Sequence, residues 1–318
     1  MSELWNADTS DHSHPILHTV RRFLGKLDFV ILFRTRRCPF SCYFCSLPTR
    51  SPQEEVSARD ILAQFEYSVK YHQKRQKEID MISFGNEGSI LSERSFNFDS
   101  LLSIIYQCGE FFPAYRTLRL ETRLEEVSSY KIERLLSTLR GRALEIITGF
   151  ETQDDKLRNV VLNKYLPRQL FEDRIQLLSR HGVSASVFVL LKPDLRMSEE
   201  GGIQEAIETC SYLINLAHRF QLFLTIRLNP VYLPNGSKYE TEAKALNYVP
   251  PSLLSVAKVI SRCWDERMKF YVGISSEHLA PKENTYSGNP HSTCRQMRLL
   301  QRFNQKNDIN IINSIVTT

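Results

Sequence analysis

The chain has 318 residues, 42% hydrophobic and 24% charged, with a net charge of +5; it can bury a core as one large or two ordinary domains without help from disulfides. No apolar stretch reaches the length of a membrane span. The polar opening residues do not read as a signal peptide, so a cytoplasmic location and no membrane partner are expected. The charge is uneven: between Thr19 and Arg50 seven Lys/Arg stand against one acidic residue, Asp28, a balance that suits an anionic ligand or a solvated basic face equally.

Residues 1–26 read as an N-terminal extension. Short apolar runs follow at Asp28–Phe33, Ile79–Phe84, Leu118–Glu121, Leu144–Thr148, Ser186–Leu191, Leu222–Leu228 and Phe270–Ile274, the pattern of strands buried on both faces of a parallel sheet. Amphipathic stretches alternate with them. In Ser57–Tyr71 the residues Ile61, Phe65 and Val69 share one helical face, and Ser57 with Asp60 resembles a capping box. Arg168–His181 carries a second stripe that Gly182 is placed to end, and Ala206–Leu216 and Leu253–Ile260 read similarly. Pro230–Pro251, with its prolines and Asn235-Gly236, reads as a loop before a C-terminal portion.

This order predicts an α/β fold, either a barrel or an open doubly wound sheet. No GxGxxG follows the first strand, so a dinucleotide-binding unit is unsupported. Polar residues at the C-terminal strand ends favour the barrel, whose chemistry sits at that rim. They are the cysteines after strand one, Glu87 after strand two, Glu121 on strand three and Glu151 after strand four. Lys192 follows strand five, Asn229 follows strand six, and Glu277 and His278 follow strand seven.

The loop after strand one reads Cys38-Pro-Phe-Ser-Cys42-Tyr-Phe-Cys45, while Cys108, Cys210, Cys263 and Cys294 are scattered singly. Three crowded thiols in a cytosolic chain point to metal or redox chemistry. Iron–sulfur clusters take cysteine thiolates, normally four; three leave one iron open for chemistry. The alternative, a zinc-containing nucleic-acid-binding module, needs a fourth closed ligand, and only distant residues such as His291 or Cys294 offer one.

CxxxCxxC after a first barrel strand, with Phe44 before its last cysteine, resembles the radical S-adenosylmethionine (SAM) superfamily. The resemblance implies a partial (β/α)6 TIM-like barrel over 27–230 with 231–318 as a C-terminal extension packed on it. It implies a [4Fe–4S] cluster on Cys38, Cys42 and Cys45, the open iron held by SAM, and Phe44 near the adenine. Gly85-Asn86-Glu87 stands where the family carries Gly-Gly-Glu for the SAM amino group; Asn86 departs from that pattern. Leu120-Glu121-Thr122-Arg123 and Thr148-Gly149-Phe150-Glu151-Thr152 are similar to the branch containing the Elongator catalytic subunit and the archaeosine synthase radical SAM subunit. Val189-Leu-Leu-Lys192-Pro193, Asn229-Pro230 and Tyr248-Val-Pro-Pro251 look more like the archaeosine type. Glu121, Glu151 and Asn229 are then expected on the cofactor side and Arg34, Arg123 and Lys192 on the substrate side, with Arg36, Arg37 and Arg50 as further phosphate contacts. The implied activity is reductive SAM cleavage to a 5′-deoxyadenosyl radical acting on a modified tRNA nucleoside, with a small metabolite as the alternative. The implied partners are a reductant such as flavodoxin or ferredoxin, tRNA, or a tRNA-modifying subunit.

Overall fold

The computed structural model describes residues 4–5, 11–45, 51–274 and 289–317, so Arg50, Glu277 and His278 lie outside the described residues. Its strands are β1 (Leu4–Trp5), β2 (Leu17–Phe23), β3 (Lys26–Phe33), β4 (Met81–Asn86), β5 (Thr117–Glu121), β6 (Ala143–Glu151), β7 (Ser184–Leu191), β8 (Leu224–Pro230) and β9 (Lys269–Val272). Its helices are α1 (Ala58–Tyr71), α2 (Phe98–Phe111), α3 (Ser129–Leu139), α4 (Arg168–Arg180), α5 (Glu199–Phe220), α6 (Lys238–Ala245), α7 (Leu253–Cys263), α8 (Cys294–Lys306) and α9 (Ile309–Val316). The strands neighbour one another in chain order, β1 through β9. A doubly wound sheet reverses its order at a switch point; this one does not, and the fold is the α/β partial TIM-like barrel expected. Among the described residues no helix is long and apolar enough to cross a membrane.

The chain divides into two compact units. The first comprises residues 1–40, 47–148 and 174–185. Its strands β3, β4 and β5 pair in parallel, and β5 continues so onto β6. Apolar side chains of β3 and β4 meet α1: Phe84 lies 5.4 Å from Phe33 and 6.3 Å from Phe65, centroid to centroid. Ser57 caps α1, accepting from Asp60 N at 3.1 Å. The second unit comprises residues 41–46, 149–173 and 186–318. Here β8 and β9 pair in parallel, α5 packs on α7, and α7 on α9.

Two segments differ from their sequence reading. Within the expected N-terminal extension, β2 pairs antiparallel with β3 through a two-residue turn, Leu24-Gly25, both at positive φ (48° and 79°). That geometry suits a right-twisted hairpin, but Leu-Gly is not the Asn-Gly signature that announces one. Within the expected loop Pro230–Pro251 lies α6, capped by Ser237, which accepts from Glu240 N at 3.0 Å. Ser-x-x-Glu was the available signal, masked by the flanking prolines.

Candidate functional site

The first unit carries Cys38 beyond the end of β3 and the Gly85-Asn86-Glu87-Gly88 run at the end of β4. Gly88 lies directly against Cys38: a Cβ there would come within 3.1 Å of Cys38 Cβ and 3.3 Å of its Sγ. Asn86 is buried and ties the loop together. Its Nδ2 donates to Thr35 Oγ1 (3.2 Å) and Ser95 Oγ (3.4 Å), and its Oδ1 accepts from Gly88 N at 3.0 Å. The residue that departs from the Gly-Gly-Glu pattern thus positions both the approach to Cys38 and the turn that follows. Glu87 is buried at the same turn. Gly85 lies against Glu121, whose Oε2 would be 3.4 Å from a Cβ at 85.

Beside Cys38 opens a cavity of about 620 Å³. Arg36, Arg37, Phe40 and Arg123 line it together with the β4–α2 loop residues Gly88, Ser92 and Arg94. The Arg123 guanidinium stacks 3.7 Å from the Phe40 ring centroid and pairs with Glu125. Arg34, expected among the substrate contacts, is fully enclosed instead; its backbone N–H donates to Gln64 Oε1 at 2.8 Å and its Nε to the His14 carbonyl at 3.4 Å. The backbone contact ties the end of β3 to α1, the guanidinium turns to the His14 segment, and this enclosed side chain presents no surface to a phosphate.

The second unit carries the Cys42–Cys45 half of the loop. Tyr43 N donates to the Leu162 carbonyl at 2.9 Å, Asn163 Nδ2 donates to the Ser41 carbonyl at 3.0 Å, and Cys45 N closes a turn onto the Cys42 carbonyl at 3.1 Å. Leu162 and Asn163 follow a π-helical turn, Leu157–Val161. Phe44 and Tyr43 pack against an apolar cluster that includes Leu162, Leu190, Leu195 and Val231.

Glu151 and Lys192, both expected at the rim, hold left-handed backbone conformations (φ 70° and 62°). For residues with a Cβ that costs about 1–2 kcal/mol each, so neighbouring structure must hold them there. Glu151 accepts from Lys164 Nζ at 2.9 Å in a buried ion pair, and Gly149 leaves the room for it. Lys192 Nζ donates to the Val249 carbonyl (2.7 Å) and pairs with Glu199 at 3.4 Å, while the Tyr248 hydroxyl donates back to the Lys192 carbonyl at 2.7 Å. Lys192, expected at the substrate, therefore fastens the Lys192-Pro193 segment to Tyr248-Val249. Asn229, half-buried in β8, sits against Gly273, where a Cβ would collide with its Oδ1. The partners Lys164 and Glu199 were not legible in the sequence, because nothing local distinguishes them from solvated charges.

Next to Glu151, the hydroxyls of Thr152 and Thr209 donate to the carboxylate of Glu205. Burial pushes that carboxyl up to about 7, outweighing these hydrogen bonds. Between pH 4.5 and 7 the unfolded chain ionises Glu205 while the folded chain keeps it protonated, so its contribution to stability is full below 4.5 and is lost as pH rises to 7. Glu205→Gln keeps the hydrogen bonds and removes the titration. The expected result is a melting temperature that gains on the wild type at pH 8 relative to pH 5; an identical difference at both values would refute it.

The donor set suits a thiolate-held iron–sulfur cluster. Cys38, Cys42 and Cys45 are half-buried and form no disulfide, whereas Cys108, Cys210 and Cys263 are enclosed. Gly88 keeps the side of Cys38 open. Among the described residues no three His, Cys, Asp or Glu side chains gather as ligands of one ion; the cysteines of a four-iron cluster bind separate irons.

Strand order, a three-cysteine loop after the first parallel strand and the Gly85–Glu87 run at the next strand end agree with the resemblance to the radical SAM superfamily expected from the sequence. No family model matches the chain. It is 24% identical over 301 residues to an uncharacterized protein of Methanocaldococcus jannaschii, covering 91% of this chain and 79% of that one. It is 25% identical over 234 residues to archaeosine synthase subunit beta of Methanosarcina acetivorans, covering 72% of this chain and 65% of the relative. Among solved structures, Elp3 of Methanocaldococcus infernus superposes with a TM-score of 0.54 at 14% identity, over 76% of this chain and 57% of that one. Methylornithine synthase superposes with a TM-score of 0.51 at 9% identity, over 91% and 85%.

Proposed function

We propose that this chain is a radical SAM enzyme in which Cys38, Cys42 and Cys45 hold a [4Fe–4S] cluster and the Gly85–Glu87 turn receives SAM. The observation that carries this reading is the CxxxCxxC loop placed directly after the first parallel strand, with Gly88 of the next strand end packed against its first cysteine. When bound, cluster and SAM supply a one-electron cleavage that yields a 5′-deoxyadenosyl radical able to take hydrogen from a substrate. The protein's own residues then have separate tasks. The thiols deprotonate to act as ligands. Glu87, buried at the turn, offers a carboxylate to the SAM amino group. Asn86 fixes the turn, and the Glu151–Lys164 pair holds the end of β6.

The favoured substrate is a modified nucleoside in tRNA, a reading supported by the similarity to archaeosine synthase subunit beta. A reductant such as flavodoxin or ferredoxin would supply the electron, and a tRNA-modifying partner subunit is part of the same reading. Anaerobically reconstituted protein is expected to hold about four irons per chain and to release 5′-deoxyadenosine with dithionite and SAM. Stoichiometric zinc without iron would overturn the assignment. Turnover on deazaguanine-modified tRNA, set against metabolite extracts, tests the substrate.

Gly88→Ala offers a finer check. The added methyl falls at 3.1–3.4 Å from Cys38 Cβ, Sγ and Cα, closer than the loop tolerates without moving by a few tenths of an ångström. Iron content per chain is expected to fall by half or more, on the order of the ~1 kcal/mol that mild overpacking costs, with the melting temperature nearly unchanged. Full iron loading in this variant would place the ligands elsewhere.

A further inference from the structure

We propose that the cavity beside Cys38 binds the phosphate of a nucleotide, free or within a strand, through Arg36, Arg37, Arg94 and Arg123. This rests on the proposed function only in making that nucleotide part of the substrate. At about 620 Å³ the cavity falls within the range of small-ligand clefts and is lined by four arginines and one carboxylate, that of Glu126. Arg123 is already paired with Glu125, but Arg36, Arg37 and Arg94 still outnumber the single lining carboxylate, and that excess of positive charge attracts an anion. Among the described residues the side chains of Arg36 and Arg94 make no ion pair and no hydrogen bond, and both are exposed.

The other two arginines are already positioned. Arg37 is anchored by Nε on the Ser51 carbonyl at 3.1 Å and by its N–H on the Pro52 carbonyl at 2.7 Å. Arg123 is held flat on Phe40. The planar fork of arginine matches the oxygens of a phosphate, which lysine's point charge does not. SAM is a net cation, so this wall disfavours it and calls for a different ligand. The cavity also reassigns the phosphate contacts expected from the sequence: Arg34 is enclosed and drops out, while Arg94, outside the basic segment that ends at Arg50, enters through the β4–α2 loop.

The test is isothermal titration of the full chain with guanosine 5′-monophosphate, guanosine and bulk tRNA, each at two salt concentrations. The monophosphate is expected to bind roughly tenfold or more tightly than guanosine, with affinity falling as salt rises. The double variant Arg36→Gln/Arg94→Gln is expected to abolish that difference, its circular dichroism unchanged. Tighter binding of tRNA than of the monophosphate assigns the phosphate to a strand; binding of the monophosphate alone assigns it to a free nucleotide. Equal affinity for nucleoside and nucleotide, or phosphate-dependent binding that survives the double variant, overturns the proposal. Cys42→Ala, outside the cavity wall, is expected to keep the phosphate preference. Phosphate binding by a wild-type chain that takes up no iron on reconstitution would therefore defeat the cluster assignment alone, and SAM cleavage without phosphate binding would defeat this inference alone.

Discussion

Cys38→Ala, Cys42→Ala and Cys45→Ala are each expected to reduce 5′-deoxyadenosine formation by the anaerobically reconstituted protein below detection. In the proposed site each substitution removes a thiolate that would fix one iron, and among the described residues the remaining cysteines are enclosed, except Cys294 at the start of α8. The controls follow from the same geometry. Cys108 and Cys210 are fully buried, and burial pushes the Cys108 thiol well above its ordinary range, so it stays a packed, protonated group. Cys108→Ala and Cys210→Ala are expected to cost about 1 kcal/mol of stability through a small cavity and to leave iron content and SAM cleavage intact. A triple variant of the loop cysteines that still cleaves SAM would show that the reaction centre lies elsewhere.

Much of this arrangement could be read from the sequence, and the reasons are physical. Each of the seven apolar runs is a strand, because strands buried on both faces must be continuously apolar and so announce themselves. The cysteine loop is legible because three thiols at fixed spacing have few other uses. What escaped is held by long-range pairing. Leu17–Phe23 alternates too weakly to look like a strand, yet β3 gives it a full antiparallel partner. Lys192 reads as a loop lysine free to meet substrate, and only the return of Tyr248-Val249 onto it explains why it is buried and bonded. Arg34 and Arg36 look alike in a basic segment, but the first is enclosed with its Nε on the His14 carbonyl and the second lines a cavity. Local charge counting cannot separate them, because the difference lies in which side of β3's exit each residue falls.

Arg119→Met is expected to destabilise the protein by about 3–5 kcal/mol, the cost of stripping buried charges of their partner. Arg119 on β5 is fully enclosed; its register partners are Ser83 on β4 and Glu145 on β6. Its Nε donates to Glu145 Oε1 at 2.8 Å, its Nη1 lies 3.4 Å from Asp28 Oδ2, and Ser83 Oγ donates to Asp28 Oδ1 at 2.7 Å. The guanidinium also stacks 3.7 Å from the Phe23 centroid. One cation thus serves two buried carboxylates, and when it is gone Asp28 keeps the Ser83 hydroxyl and, at 3.3 Å, the partly exposed Arg21. Side chains two apart on a strand share a face, so Gly85 and Glu121 stand directly above Ser83 and Arg119. The buried network is therefore the floor beneath the strand-end residues that face the proposed cofactor. Arg119→Lys is expected to recover less than half of the loss, since a single ammonium cannot reach both carboxylates as the planar fork does. Arg119→Met combined with Glu145→Leu is expected to be less destabilised than the single variant, because it removes one orphaned charge along with its partner. Urea unfolding of the four proteins measures this directly. A loss under 1 kcal/mol in Arg119→Met, or a double variant less stable than Arg119→Met alone, would show that these charges do not act as a network.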